Sequence, residues 1–453
     1  MSKSEQQYID LYEQCRDLIC EHSSREMNAC RDEAFARFKA KGFPTRKTEQ
    51  YKYTDMKSLF APDYGLNLRR IDIPVNPYEA FQCDVPNLST ALYFVVNDCF
   101  YEKALPKNRL PEGVVVGSLA KCGPLLAEKG LASLVESRYN RLASGGEDAL
   151  TDLNTMLAQD GLLVYVPRNV KVDKAIQVIN ILRSDVAMMA NRRVMIVLEE
   201  GSELRILFCD HAADDVEFLS TEVIEVYVGV NASLELYSLE ESHYKNVRVS
   251  NVYVEQQRDS RFHHSAVTLH NGVTRNMLHL ALKGEGSTCT LGGCVVADKQ
   301  QKVDNNTLIV HEVPHCESRE LYKYVLDGEA VGAFAGRVLV CQDAQKTSSE
   351  MRNQNLCATS QARMYTQPML EIYADDVKCS HGSTVGQLND AALFYMQQRG
   401  ISLREARLLL QQAFIGEVID QIQLPQLRDR LHYLVDKRFR GELSKCTGCK
   451  LCQ

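Results

Sequence analysis

The sequence predicts a mainly β protein, a parallel β-helix (solenoid) flanked by N-terminal and C-terminal helical regions. From about Gly161, short Val/Ile/Leu/Thr-rich runs follow one another, separated by Gly, Asn, Asp and Ser. Almost no helix signal interrupts them until about Leu388. Within this tract a small turn residue followed by alternating apolar positions recurs at Gly201-Ser-Glu-Leu-Arg-Ile, Asn231-Ala-Ser-Leu-Glu-Leu, Asp259-Ser-Arg-Phe, Gly286-Ser-Thr-Cys-Thr-Leu and Gly328-Glu-Ala-Val-Gly-Ala. Successive starts lie about 27 to 30 residues apart, with one gap of about 42, in the range of solenoid coils. Each coil leaves one side of its strands bare, and stacking on the next coil buries it. A β-sandwich also uses many short strands and is the alternative. The lack of crossover helices disfavours a doubly wound α/β fold.

Four segments follow in order. Residues 1–160 read as a helical and mixed α/β region: Ile9, Tyr12, Cys15, Leu18 and Ile19 recur at helical spacing, as do Ala34, Phe35 and Phe38 before Gly42 and Pro44. Ala91-Leu-Tyr-Phe-Val-Val reads as a strand, and Ala149 to Leu157 as a helix. Residues 161–385 form the predicted β-helix core. Residues 386–445 are helical again: Asp390 to Gln398 is closed by Gly400, and Ser402 three residues before Glu405 is a capping-box pattern. The next helix places Ala406, Leu409, Leu410, Ala413 and Phe414 on one face. Pro425 then opens a helix with Leu427, Leu431, Leu434 and Val435 on its stripe. Residues 446–453, CTGCKLCQ, read as a cysteine-rich tail.

Composition narrows the function. The 453 residues are 45% hydrophobic and 25% charged, ordinary for a soluble globular chain. A net charge of -7 argues against a dedicated nucleic-acid binder. No run is apolar and long enough to span a bilayer, and the polar, acidic N-terminus is not a signal peptide, which places the chain in the cytoplasm. Sixteen cysteines in a reducing compartment need a reading other than disulfides, and most are expected as small core residues.

There is no GxxxxGK[ST] loop, GxSxG elbow or Rossmann GxGxxG. The string His311-Glu-Val-Pro-His315 matches HExxH, but Pro314 would break the helix that a zinc-protease site needs. His311, His315 and Cys316 could instead meet around the Pro314 turn as a metal site, or satisfy polar groups inside the solenoid. The stretch Glu371 to Gly386, EIYADDVKCSHGSTVG, is more informative. Cys379 and His381 are two apart, so on a strand they share a face and could ligate iron or zinc. A nearby protonated imidazole would also raise the thiolate fraction of Cys379. The alternative is a core thiol beside a polar cap on the last coil. Cys446, Cys449 and Cys452 form CxxCxxC, the opening of a bacterial ferredoxin ligand set without its fourth cysteine. They could bind metal or a cluster, accept sulfane sulfur, or form a tail with no role in the core activity.

Long linked words then resemble one family. His311 to Lys323 (HEVPHCESRELYK), Asp343 to Thr347 (DAQKT), Leu370 to Gly386 (LEIYADDVKCSHGSTVG) and Ala392 to Ile401 (ALFYMQQRGI) are similar to the SufB/SufD family of iron–sulfur cluster assembly scaffolds. Ser380 to Thr384 and the word Gly42 to Asp55 (GFPTRKTEQYKYTD) resemble its D-type branch, departing at Tyr51, where the family commonly has Trp. The CxxCxxC tail is a second departure. The resemblance implies a right-handed parallel β-helix and a non-catalytic scaffold subunit. It also implies a complex with the ABC-type ATPase SufC and the paralogue SufB, a homodimer being the other assembly in view. It further implies that His381, and secondarily Cys379, helps hold a transient iron–sulfur cluster with a cysteine from the B-type partner. The C-terminal helices, through Leu409, Ala413 and Phe414, would dock the ATPase. A reduced flavin in the complex is compatible with the resemblance alone. The competing readings are a B-type paralogue and a β-helix enzyme acting on polysaccharide, for which Asp375-Asp376 is the nearest carboxylate pair.

Overall fold

The computed structural model describes residues 3–71, 77, 91–103, 110–145 and 148–442. Its strands run, in chain order, β1 (Ala91–Val96), β2 (Cys99–Phe100), β3 (Val115–Ser118), β4 (Leu162–Val166), β5 (Ile176–Leu182), β6 (Met188–Leu198), β7 (Glu203–Ala212), β8 (Phe218–Val228), β9 (Ser233–Glu241), β10 (Asn246–Gln256), β11 (Arg261–His270), β12 (Val273–Leu282), β13 (Thr288–Ala297), β14 (Lys302–His311), β15 (Glu317–Leu326), β16 (Val331–Val340), β17 (Ser348–Cys357), β18 (Arg363–Ile372) and β19 (Lys378–Gly386). They alternate between two sheets. One runs β19-β17-β15-β13-β11-β9-β7-β5-β1-β2 and the other β18-β16-β14-β12-β10-β8-β6-β4-β3. Apart from the antiparallel pairs β1·β2 and β3·β4, every pairing is parallel. This is the expected parallel β-solenoid. It reaches further back than residue 161, because β1 adds to β5 in parallel register and β3 caps β4.

The repeat has a backbone cause. Asn169, Gly201, Asn231, Asp259, Gly286, His315 and Lys346 all have positive φ, one at the same corner of each successive coil. The amide of each of Asn169, Gly201, Asn231, Asp259, His315 and Lys346 donates to a carbonyl of the next coil, at 2.6–3.0 Å. Gly328, counted above as one of these turns, is a correction: it follows β15 and stacks on Lys299 at the opposite corner. The gap of about 42 arises because His315 and Lys346 occupy the missing turns. Left-handed backbone disfavours residues with a Cβ, so neither residue is a turn signal in sequence.

Inward-facing side chains from both sheets fill the lumen with an apolar core that includes Val178, Ile206, Leu236, Leu280, Leu291, Phe334 and Met351. At a contribution of about 25 cal/mol per Å² of apolar surface removed from water, this column is the main source of cohesion. A polar ladder runs beside it. Arg192 bonds Asp210 at 2.5 Å, and Arg248 bonds Glu222 at 2.8 Å and Asn276 at 2.7 Å. Asn276 donates to Asn305 at 2.9 Å, and Asn305 to the Tyr324 hydroxyl at 2.5 Å. Burial pushes the Asp210 carboxyl up, but Arg248 and Arg192 outweigh it and hold it below the ordinary carboxylate range.

Helices cover both outer faces. The Lys3–Glu21, Arg31–Lys41 and Ala149–Leu157 helices pack over Met189, Leu219, Val247 and Val249. Tyr51 is buried there: its hydroxyl meets Asp148, and the Arg275 guanidinium lies 4.3 Å from its ring centroid. An aromatic ring is thus retained where the resemblance expects Trp. On the other face, Ile415, Val418 and Ile419 of the Leu403–Ile419 helix and Leu427, Leu431, Leu434 and Val435 of the Pro425–Phe439 helix cover Leu239, Val267, Cys294, Leu321 and Val325. Ser402 caps its helix through the Glu405 amide at 3.2 Å, as its spacing predicts. No helix among the described residues is long and apolar enough to cross a membrane.

A lumen acid, Glu320, lies off the polar ladder. Glu320 is buried, and neither carboxyl oxygen has a well-formed hydrogen bond. Burial pushes its carboxyl up to about 7, eased by Thr307. A folded value above the unfolded one (about 4.3 for free Glu) costs nothing at low pH, and destabilises progressively as pH rises through the folded value. Glu320→Gln should therefore flatten the pH dependence of stability between pH 5 and 8. The gain over wild type at pH 8 should be up to roughly 3 kcal/mol, read from urea midpoints. Parallel stability curves for the two proteins would refute this.

Candidate functional site at the open end of the solenoid

The last coil consists of β18 and β19, the terminal strands of their sheets. In the parallel register Ser349 opposes Cys379, Met351 opposes His381 and Asn353 opposes Ser383. Met351 is part of the lumen core, so Cys379, His381 and Ser383 face the lumen mouth. Ser383 confirms the direction: its hydroxyl lies 2.6 Å from that of Thr366 on β18, across the lumen. After Gly386 the chain leaves for the Asp390–Gln398 helix, and among the described residues no further coil covers the mouth. His381 is exposed, whereas Cys379 is half-buried against the lumen core.

Spacing thus places both residues on one strand and one face. For the thiol, spacing leaves two readings open, an activated ligand and a core thiol. Burial pushes the Cys379 thiol up, outweighing the Ser349 backbone amide that favours the thiolate. Cys379 is a protonated packing thiol, not an activated one.

The second candidate cluster does not assemble. His311 is buried at the end of β14, with its Nε2 2.9 Å from Ser318 Oγ, and burial lowers it to about 4. His315 is exposed at a corner turn, with Glu285 3.8 Å away. Cys316 is buried, with its Sγ 3.3 Å from Ser287 Oγ. The HExxH string lies on a strand end and a turn, so its imidazoles share no helix face. Among the described residues no group of three or more His, Cys, Asp or Glu is arranged to hold a metal. Cys446, Cys449 and Cys452 lie outside the described residues.

The mouth is ringed by exposed apolar side chains that no spacing argument singled out: Tyr365, Ile372, Tyr373 and Val385. Tyr53 of the 42–55 word stacks on Tyr365, ring centroids 4.7 Å apart. Beside the mouth, a recess of about 290 Å³ between the ends of β17 and β19 and the Leu403–Ile419 helix is lined by Leu356, Val385, Leu388, Leu410 and Phe414. On that helix Leu409 and Ala413 are exposed, Leu410 and Phe414 half-buried and Ala406 buried. Lys323 sits 4.6 Å over the Phe414 ring and pairs with Glu417, which also meets Arg352. Phe394 and Tyr395 of the preceding helix are about 60% exposed, at 63% and 60%.

The described residues thus form a stacked parallel solenoid whose last coil carries an exposed histidine at its mouth, beside a helical flank. Comparison with known proteins gives the family. Residues 2–178 match the SufBD protein N-terminal region, and residues 180–414 match the SufBD core domain of SUF-system FeS cluster assembly. The chain belongs to the SufBD family. It is similar to the iron-sulfur cluster assembly SufBD family protein slr0076 of Synechocystis, 27% identical over 87% of each chain. It is also 27% identical to the iron-sulfur cluster assembly protein SufD of Escherichia coli, over 88% of this chain and 90% of the relative. The chloroplastic protein ABCI7 of Arabidopsis thaliana is 27% identical over 90% of this chain and 85% of its own.

The thiol environment sets a reactivity. Because burial raises the Cys379 pKa, alkylation by iodoacetamide should be slow at pH 7 and accelerate above pH 9. Rapid modification of Cys379 at pH 7, read by peptide mass spectrometry, would show an activated thiolate instead.

Proposed function

We propose that this chain is a D-type scaffold subunit for iron–sulfur cluster assembly, acting in the cytosol with an ABC-type ATPase and a B-type paralogue. The observation that carries this reading is His381, exposed at the uncovered mouth of the solenoid on a strand whose outer edge is unpaired. An unpaired parallel edge invites another sheet, and the exposed Tyr365, Ile372, Tyr373 and Val385 supply apolar area to bury. The B-type partner docks there. Neutral imidazole ligates iron and exchanges more readily than thiolate, which suits cargo that must later leave. His381 supplies that ligand, and the partner supplies a cysteine. Cys379 packs beneath and stays a secondary candidate. The nascent cluster is cargo, and the chain needs no catalytic residue of its own.

The ATPase docks on the C-terminal helices through Leu409 and Ala413, with the exposed Phe394, Tyr395 and Leu403 extending the surface. Phe414 takes part from the rim, because Lys323 already holds its ring. The CxxCxxC spacing of Cys446, Cys449 and Cys452 supports a thiol set that accepts metal or sulfane sulfur.

His381→Ala should leave the copurified complex assembled and lower its bound iron and sulfide several-fold, while Cys379→Ser should have a smaller effect. Full cluster loading of the His381→Ala complex, by iron and acid-labile sulfide analysis, would remove His381 from the site. Leu409→Asp should abolish copurification of the ATPase without changing the melting temperature, since Leu409 is 37% exposed. Phe414→Asp should also lower that temperature, because it breaks the contact with Lys323. Retained copurification of the Leu409→Asp protein would move the ATPase elsewhere.

A further inference from the structure

Two coils beneath His381 the lumen holds an acid that has no ion pair among the described residues. The parallel register stacks Leu291, Glu320, Met351 and His381 at one position of β13, β15, β17 and β19. Leu291 and Met351 are lumen core residues, so Glu320 shares their inward face. Only Met351 separates it from His381 along this column. Met351 fills the lumen by reaching across to Gly336, where an added Cβ would meet its sulfur at 2.5 Å.

Glu320 is 3% exposed, and neither carboxyl oxygen has a well-formed hydrogen bond. Thr307, opposite it on β14, is the side chain that eases its ionisation. The other titratable groups that feel its charge are Cys289 on β13 and Tyr322 and Tyr324 on its own strand, all uncharged when protonated. β17 brings Met351 and β16 brings Gly336. Among the described residues Glu320 has no ion pair, whereas Asp210 and Glu222 further along the lumen are held by Arg192 and Arg248. A cation is the missing complement of its ionised form.

We propose that Glu320 is a proton-releasing group coupled through the lumen to a cation held at His381, so that loading iron(II) at the open end expels a proton from the solenoid interior. This rests on the reading of His381 as the cargo site. The step balances without redox change: iron(II) arrives with two positive charges, the Glu320 carboxylic acid becomes a carboxylate, and its O–H proton passes to the buffer. Two coil steps separate the residues, roughly 10 Å at the ordinary strand spacing of ~4.8 Å. A divalent charge at that range inside protein shifts the acid's equilibrium by about tenfold or more. Because burial sets the Glu320 carboxyl at about 7, about half of it is protonated at neutral pH and free to respond. The coupling gives iron loading a pH dependence, strengthening it as pH rises.

The test is anaerobic calorimetric titration of iron(II) into the complex containing the full-length chain. It is run at pH 7 in two buffers of different protonation enthalpy, for wild type, Glu320→Gln and His381→Ala. Wild type should release up to about half a proton more per iron than Glu320→Gln. An infrared difference spectrum should show a carboxylic acid C=O band lost on iron addition in wild type and absent in Glu320→Gln. Equal proton release by wild type and Glu320→Gln, with binding still weakened in His381→Ala, overturns the coupling and leaves the cargo site standing. Undiminished iron binding in His381→Ala overturns the cargo site, and with it the proposal.

Discussion

Each coil of this protein depends on its neighbours for its backbone hydrogen bonds, and that dependence sets the character of the two ends of the solenoid. A strand's N–H and C=O groups point along the solenoid axis, so every internal coil is satisfied from both sides. At the N-terminal end the problem is solved within the chain: β1 adds to β5, and the antiparallel pairs β1·β2 and β3·β4 turn the edges aside. At the C-terminal end β18 and β19 have no successor. Soluble proteins usually blunt such edges with charge, proline or a bulge. Here β18 carries Pro368, but β19 has Lys378 as its single charged residue, at its first position, followed by small and polar residues. This bare edge is the feature on which the proposed docking of a partner rests.

The lumen is an unusual solvent. Most of it is close-packed hydrocarbon, yet Arg192, Asp210, Glu222 and Arg248 form a compensated ionic cluster inside it. Breaking such a cluster by removing one member leaves a buried charge, so its members are mutually dependent. Glu320 obeys a different logic: it has no counter-ion among the described residues, and the same low polarity that strengthens the cluster raises its carboxyl to about 7. Asp210, held between Arg192 and Arg248, is kept below the ordinary carboxylate range, whereas Glu320, with no ion pair among the described residues, is raised above it.

The C-terminal helices couple outer surface to interior. Lys323 on β15 holds the Phe414 carbonyl at 3.0 Å and pairs with Glu417, which also meets Arg352 on β17. Arg352 is the immediate neighbour of Met351, the residue beneath His381. Arg438 fixes the last helix through Leu269 and Asp298, at 2.7 Å to each. The helical flank is therefore joined to the same coils that present the open mouth.

The solenoid was legible in sequence because its corner turns demand left-handed backbone, and Gly201, Asn231, Asp259 and Gly286 announce them at coil spacing. The terminal helices were legible from capping and periodicity. Cys379 and His381 were legible as a same-face pair because strand alternation is local. What the sequence could not show depends on contacts between coils. His315 and Lys346 fill turns that a neighbouring coil enforces, against their own preference. Cys379 is a quiet thiol because the lumen desolvates it. The mouth is open because no described strand stacks on β19, and Glu320 lies two coils beneath His381 only because the register aligns residues distant in sequence. Backbone preference and alternation are properties of a few adjacent residues, and the sequence alone determines them. Burial, register and exposure are properties of the stack, and only the tertiary structure decides them.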